Sequence, residues 1–178
     1  MPRIYLLIVC WTLAIAPLVF GKHEKRPPKP PRLMMIDLSV DYARRTQVDP
    51  SNTYHKRQLV KITISTHNRS TSQDYTGMIG YLYVLAEDMG KKGKYKLIIK
   101  QEHKLDVPHA QRTQWESQEV ELLFDDHPPV MHGDRCYGYV YAVEDKEGKV
   151  IMGHTSNDKL WEILSKLSEK NLDEAFSF

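Results

Sequence analysis

Met78-Ile79-Gly80-Tyr81-Leu82-Tyr83-Val84-Leu85-Ala86-Glu87-Asp88 is apolar, glycine or tyrosine up to Ala86 and then closes on two acids. Gly138-Tyr139-Val140-Tyr141-Ala142-Val143-Glu144-Asp145 repeats the design, with the same Gly-Tyr-aliphatic-Tyr opening and Glu-Asp close. Short runs rich in aromatic and β-branched residues read as strands in the middle of a sheet. Convergence of two central strands on similar packing accounts for the echo, and one short match does not establish duplication.

Side chains alternate across a strand, which assigns faces. Aligning the two runs by their echo groups Gly80, Leu82, Val84 and Ala86 with Cys136, Gly138, Val140 and Ala142 on a small apolar face. The opposite face collects Ile79, Tyr81, Tyr83 and Leu85 with Tyr137, Tyr139, Tyr141 and Val143. The five phenols Tyr81, Tyr83, Tyr137, Tyr139 and Tyr141 are the candidate binding residues, because a large apolar patch needs a cover.

Outward from these runs the hydrophobic period stays at two. Ile36, Leu38 and Val40 alternate with Asp37, Ser39 and Asp41, and Val60, Ile62 and Ile64 with Lys61, Thr63 and Ser65. Further runs cover Tyr95–Gln101, Glu119–Phe124 and Val150–His154, with turn clusters at Met89–Gly93 and Asp145–Gly148. The count is seven strands with no helical pattern between them, which predicts an all-β antiparallel sandwich over residues 33–155. The layout resembles immunoglobulin-like and fibronectin-III-like sandwiches, although the Cys…Trp…Cys spacing of true immunoglobulin domains is missing. In such a sandwich the third and sixth strands, Met78–Ala86 and Tyr137–Val143, lie side by side. A likeness of layout implies no function.

Leu160, Ile163, Leu164 and Leu167 recur at helical spacing, flanked by Trp161, and Ser156 or Asn157 can cap the segment. An amphipathic C-terminal helix is therefore expected over residues 156–170, followed by a tail at 171–178. This helix is the first candidate cover for the tyrosine face. A protein partner is the second, and a sugar or other planar ligand the third.

At the other terminus Arg3 precedes an apolar run from Ile4 to Phe20, and Val19-Phe20-Gly21 fits a cleavage site. Residues 1–21 are expected to be an export signal, which places the protein outside the cell or in a periplasm. Lys22, Lys25, Arg26, Lys29 and Arg32 put more positive charge after the run than before it, so an uncleaved N-terminal anchor is the alternative. Cleavage would leave no membrane attachment. Residues 22–32, with four prolines at 27, 28, 30 and 31, form an extended spacer. Without the signal, Cys136 is the remaining cysteine, so no internal disulfide forms and stability rests on burial. The formal net charge of +2 gives no reason to expect nucleic acid. Asn68-Arg69-Ser70 matches a glycosylation sequon.

No catalytic motif is present: there is no G-x-S-x-G, no H-E-x-x-H and no phosphate-binding glycine loop. The densest run of metal-ligand types is Asp125-Asp126-His127-Pro128-Pro129-Val130-Met131-His132-Gly133-Asp134 with Cys136 beyond it. Its spacing matches no established site, and turn chemistry explains its polarity. The sequence thus predicts a non-catalytic binding or structural module without cofactor or metal and with an unidentified protein partner. The alternative is a metal-dependent hydrolase with its site at residues 125–136.

Overall fold

The computed structural model describes residues 29–91 and 93–167, with helix side chains as far as Glu162. The expected signal at 1–21, most of the spacer and the tail at 171–178 lie outside the described residues. Eight strands and one helix follow in order: β1 Ile36–Asp49, β2 Asn52–Asn68, β3 Tyr75–Asp88, β4 Tyr95–Val107, β5 Arg112–Glu116, β6 Val120–Asp125, β7 His132–Glu144, β8 Val150–Thr155 and α1 Asp158–Leu167. Among the described residues no helix is long and apolar enough to cross a membrane.

The strands form an antiparallel sandwich. One layer is β1–β2 with β5 and β6 sharing the far side of β2; the other is β4–β3–β7–β8. A short pairing of Phe124 with Gly133 and Asp125 with His132 joins the layers between β6 and β7. All seven expected strands are present, and β5 is an eighth. It continues the line of β6 along β2, and Ser117 bridges the interruption: its N–H donates to Ile62 O at 2.8 Å and its hydroxyl accepts from Ile62 N at 3.0 Å. As the period of two requires, Val60, Ile62 and Ile64 are buried while Lys61, Thr63 and Ser65 are only partly covered.

The third and sixth expected strands, β3 and β7, do lie side by side, but their register corrects the face assignment. Antiparallel partners point to the same side of a sheet. Leu82 pairs with Tyr141 and Val84 with Tyr139, whereas Tyr81 pairs with Ala142 and Tyr83 with Val140. Tyr139 and Tyr141 therefore point into the core with Leu82 and Val84, while Tyr81 and Tyr83 point outward. An irregularity between Leu85 and Ala86 leaves Tyr137 without a partner in β3, and Tyr137 packs with the outward set. The five tyrosines do not share a face, because strand pairing sets the phase and a sequence echo does not.

The outward set is covered from within the chain. Leu160 and Trp161 of α1 are buried against Tyr83, Leu85, Val140 and Ala142. Asn157 caps the helix, its side-chain oxygen accepting Lys159 N at 3.0 Å, and its amide donates to the Tyr137 hydroxyl at 3.1 Å. Ser156 serves the sheet instead and accepts Tyr139 N at 2.9 Å. Close approach of the helix depends on Gly153, where an added Cβ would lie 2.5 Å from the Trp161 ring.

Candidate functional site

Of the candidate tyrosines, Tyr83 lies beneath α1, and Tyr139 and Tyr141 are core residues. A buried phenol needs a partner for its hydroxyl. Tyr139 meets His154 Nδ1 at 3.0 Å and Tyr141 meets His103 Nε2 at 2.9 Å. Burial pushes the Tyr139 hydroxyl up to about 12 and raises that of Tyr141 as well. Tyr81 and Tyr137 remain half-buried. Tyr137 spends one ring face on Tyr95, at a centroid distance of 4.4 Å. Two separate edges are left where a platform of five rings was expected.

The metal-ligand types between Asp125 and Cys136 disperse to different partners. Asp125 binds His55 Nε2 at 2.9 Å and accepts His127 N at 2.7 Å. Asp126 pairs with Lys56 and Asp134 with Lys96. His127 stands edge-on to Tyr54, and Cys136 faces inward, where Tyr42 donates to its sulfur at 2.9 Å. Among the described residues no three His, Cys, Asp or Glu side chains converge on a metal position. Burial raises the Cys136 thiol pKa, so it stays protonated and behaves as a small core residue.

The remaining histidines have separate duties. His67 lies near Asp37 at 3.8 Å and His109 pairs with Asp74 at 2.7 Å. His103 stacks on Trp115, its ring 4.2 Å away, and His154 stacks on Tyr139. The sequon is closed as well. Asn68 is fully buried; its amide donates to Gln73 O at 2.7 Å and Val107 O at 3.0 Å, and its oxygen accepts Ser70 N at 2.9 Å. A glycan on Asn68 and this fold exclude each other.

Open surface lies at both ends of the sandwich: exposed Met34 lines a cleft of ≈ 460 Å³ near the start of β1, and a larger apolar set stands at the other end. The chain enters at the proximal end, where Pro31 O accepts Gly153 N of β8 at 3.1 Å, and β1 starts beside the end of β2. β1 then runs for 14 residues, roughly 45 Å, to the turn at Pro50 and Ser51. That distal end, with the β6–β7 loop beside it, carries Val48, Tyr54, Leu123, Val130 and Met131, all large, apolar or aromatic, and exposed between 40% and 70%.

Two clefts open there. The first, ≈ 500 Å³, is lined by Val48, His55, Arg57, Leu123, Asp125 and His132. His55, Asp125 and His132 stand in successive paired positions across β2, β6 and β7, so they form one row on one side of the sheet. The second cleft, ≈ 480 Å³, includes Arg44 and Thr46 of β1, Lys56 and Gln58 of β2, and Arg135 of β7. Gln58 is buried and fixed: its oxygen accepts Cys136 N at 2.8 Å and its amide donates to Thr46 Oγ1 at 3.2 Å. Beside it, burial and the bond to Cys136 raise the Tyr42 hydroxyl pKa, while Arg44 pulls it down. Sequence reasoning missed this site because five separate strands supply its walls and no short motif does.

Fold and surface together define an all-β antiparallel sandwich with a C-terminal helix and an open distal end. Comparison with family models and with curated proteins returned no match. Among solved structures, a protein from Akkermansia muciniphila is similar at 15% identity and a TM-score of 0.38, covering 71% of this chain and 75% of that one. The Northeast Structural Genomics Consortium target SoR45 is similar at 12% identity and a TM-score of 0.33, covering 68% of this chain and 85% of that one. A beta-glucosidase from Kluyveromyces marxianus follows at 9% identity and a TM-score of 0.29, covering 67% of this chain and 13% of the enzyme. Likeness at this level carries no argument about activity.

Proposed function

We propose that the protein is an exported, non-catalytic binding module, secreted or periplasmic, that meets a protein partner with its distal end. The observation that carries the reading is that exposed Val48 and Leu123 line the first distal cleft, with exposed Tyr54, Val130 and Met131 on the neighbouring start of β2 and the β6–β7 loop. Exposed apolar groups gathered among polar ones are typical of contact surfaces. Their location adds support: the spacer joins the sandwich at the proximal end, so a signal or anchor upstream of it would leave the distal end free. The tyrosine edges are a weaker choice, since α1 already occupies most of that face.

The test compares retention of the labelled protein on cell-envelope or matrix material from its own source. Leu123→Glu combined with Tyr54→Ala is expected to lower retention about tenfold or more, the usual range for losing central apolar anchors. Tyr81→Ala is expected to leave it unchanged. Equal retention by the distal double variant, or loss with Tyr81→Ala alone, would overturn the assignment.

A further inference from the structure

The second distal cleft has a charge pattern that selects a ligand chemistry. Three cations, Arg44, Lys56 and Arg135, line it against two carboxylates, Glu87 and Asp126, leaving one positive charge in excess. The cations are not equivalent. Lys56 is held by Asp126, and Arg135 reaches Glu87 at 3.4 Å. Arg44 makes no ion pair among the described residues; its guanidinium lies 5.8 Å from the centroid of the Tyr42 ring. The guanidinium also hydrogen-bonds the Tyr42 hydroxyl, which restrains it, and a guanidinium has five N–H donors, so others remain for a ligand.

A second donor stands two residues along β1, on the same side of the strand. Because Gln58 Oε1 is committed to Cys136 N, the Gln58 amide must point to Thr46, so Thr46 Oγ1 acts there as acceptor. Its own O–H proton remains for a ligand. The cleft of ≈ 480 Å³ is sized for a small molecule or one to two residues of a chain.

The geometry points to this cleft as a carboxylate-binding site, with Arg44 as the bidentate donor and Thr46 as the second donor. A single negative charge matches the single excess positive one, whereas a phosphate dianion would leave the cleft with one negative charge in excess. On the protein-partner reading, an acidic residue of a peptide supplies the group. This inference deepens the distal-end reading, but it is tested without any partner, so the two fail separately.

Isotope-labelled intact protein is titrated with an acetylated glutamyl dipeptide amide, with glucuronate and with inorganic phosphate, and amide shifts are followed by NMR. Saturable shifts at Arg44, Thr46 and Arg135 with at least one carboxylate are expected, with phosphate binding more weakly. The dipeptide is expected to bind more tightly than glucuronate, and the reverse order would overturn the assignment to a peptide. Arg44→Gln is expected to weaken binding about tenfold, and Thr46→Val by a smaller factor. Both positions are exposed on β1, so both variants should retain the wild-type spectrum elsewhere. No saturable shift with either carboxylate, unchanged affinity in Arg44→Gln, or tighter binding of phosphate would overturn the assignment.

Discussion

Trp161→Ala is expected to cost about 3–5 kcal/mol, the range for truncating a large buried aromatic side chain. Trp161 and Leu160 are the described contacts through which α1 holds the outer face of β3 and β7, and the ring sits over Gly153, where no other residue leaves room. Loss of the ring leaves a cavity and frees the helix, so Tyr83, Leu85 and Val140 become accessible. A loss of that size is a large share of the usual 5–15 kcal/mol of a domain this size. Thermal unfolding should shift down by roughly 10 °C. A hydrophobic dye should bind the folded variant more strongly than the wild type. A shift of a degree or two with no gain in dye binding would mean that α1 contributes little to the fold.

Gly80→Ala is expected to destabilise by about 3 kcal/mol through a different route, combining overpacking with a lost buried hydrogen bond. An added Cβ at Gly80 would lie 2.6 Å from His103 Nε2 and closer still to the Tyr141 hydroxyl. It would thus displace the bond that joins them. His103 Nδ1 faces Lys104 O at 3.2 Å and donates there, so Nε2 accepts from Tyr141 in the neutral ring. The same imidazole stacks on Trp115 of β5, which ties the edge of one layer to the other.

Acid should weaken this closure. Burial lowers the folded-state pKa of His103, and burial together with Arg32 lowers that of His154, from the ordinary value of 6.5. The unfolded chain then binds protons first as pH falls. Stability is therefore fully present above about pH 6.5 and is lost as the pH drops through the lower folded-state values. Denaturant midpoints of wild type and Tyr141→Phe at pH 7.5 and pH 5 check the sign. A midpoint that rises on acidification would contradict it.

Period-two alternation in β2 and in the long apolar runs of β3 and β7 was enough to read a sandwich, because burial on one side of a strand writes itself into neighbouring residues. β5 escaped notice since Arg112–Glu116 is short and its inward positions, Thr113 and Trp115, make a weak pattern. Register was not legible. Tyr139 and Tyr141 look like surface partners of Tyr81 and Tyr83 until Leu82–Tyr141 pairing turns them inward. The run from Asp125 to Asp134 suggested the metal alternative for a related reason. Residues dense in sequence were sent to His55, Lys56 and Lys96 on other strands. The distal clefts are built by long-range pairing of β1, β2, β3, β6 and β7, so their residues are scattered from Arg44 to Tyr137.

The assignment of contact to the distal end is tested most directly by hydroxyl-radical footprinting of the intact protein, free and retained on material from its own source. Tyr54, Leu123 and Met131 should react readily in the free protein and lose reactivity on retention, while Tyr81 and Tyr137 react equally in both. Protection of Tyr81 and Tyr137 with unchanged labelling at Tyr54, Leu123 and Met131 would contradict the account.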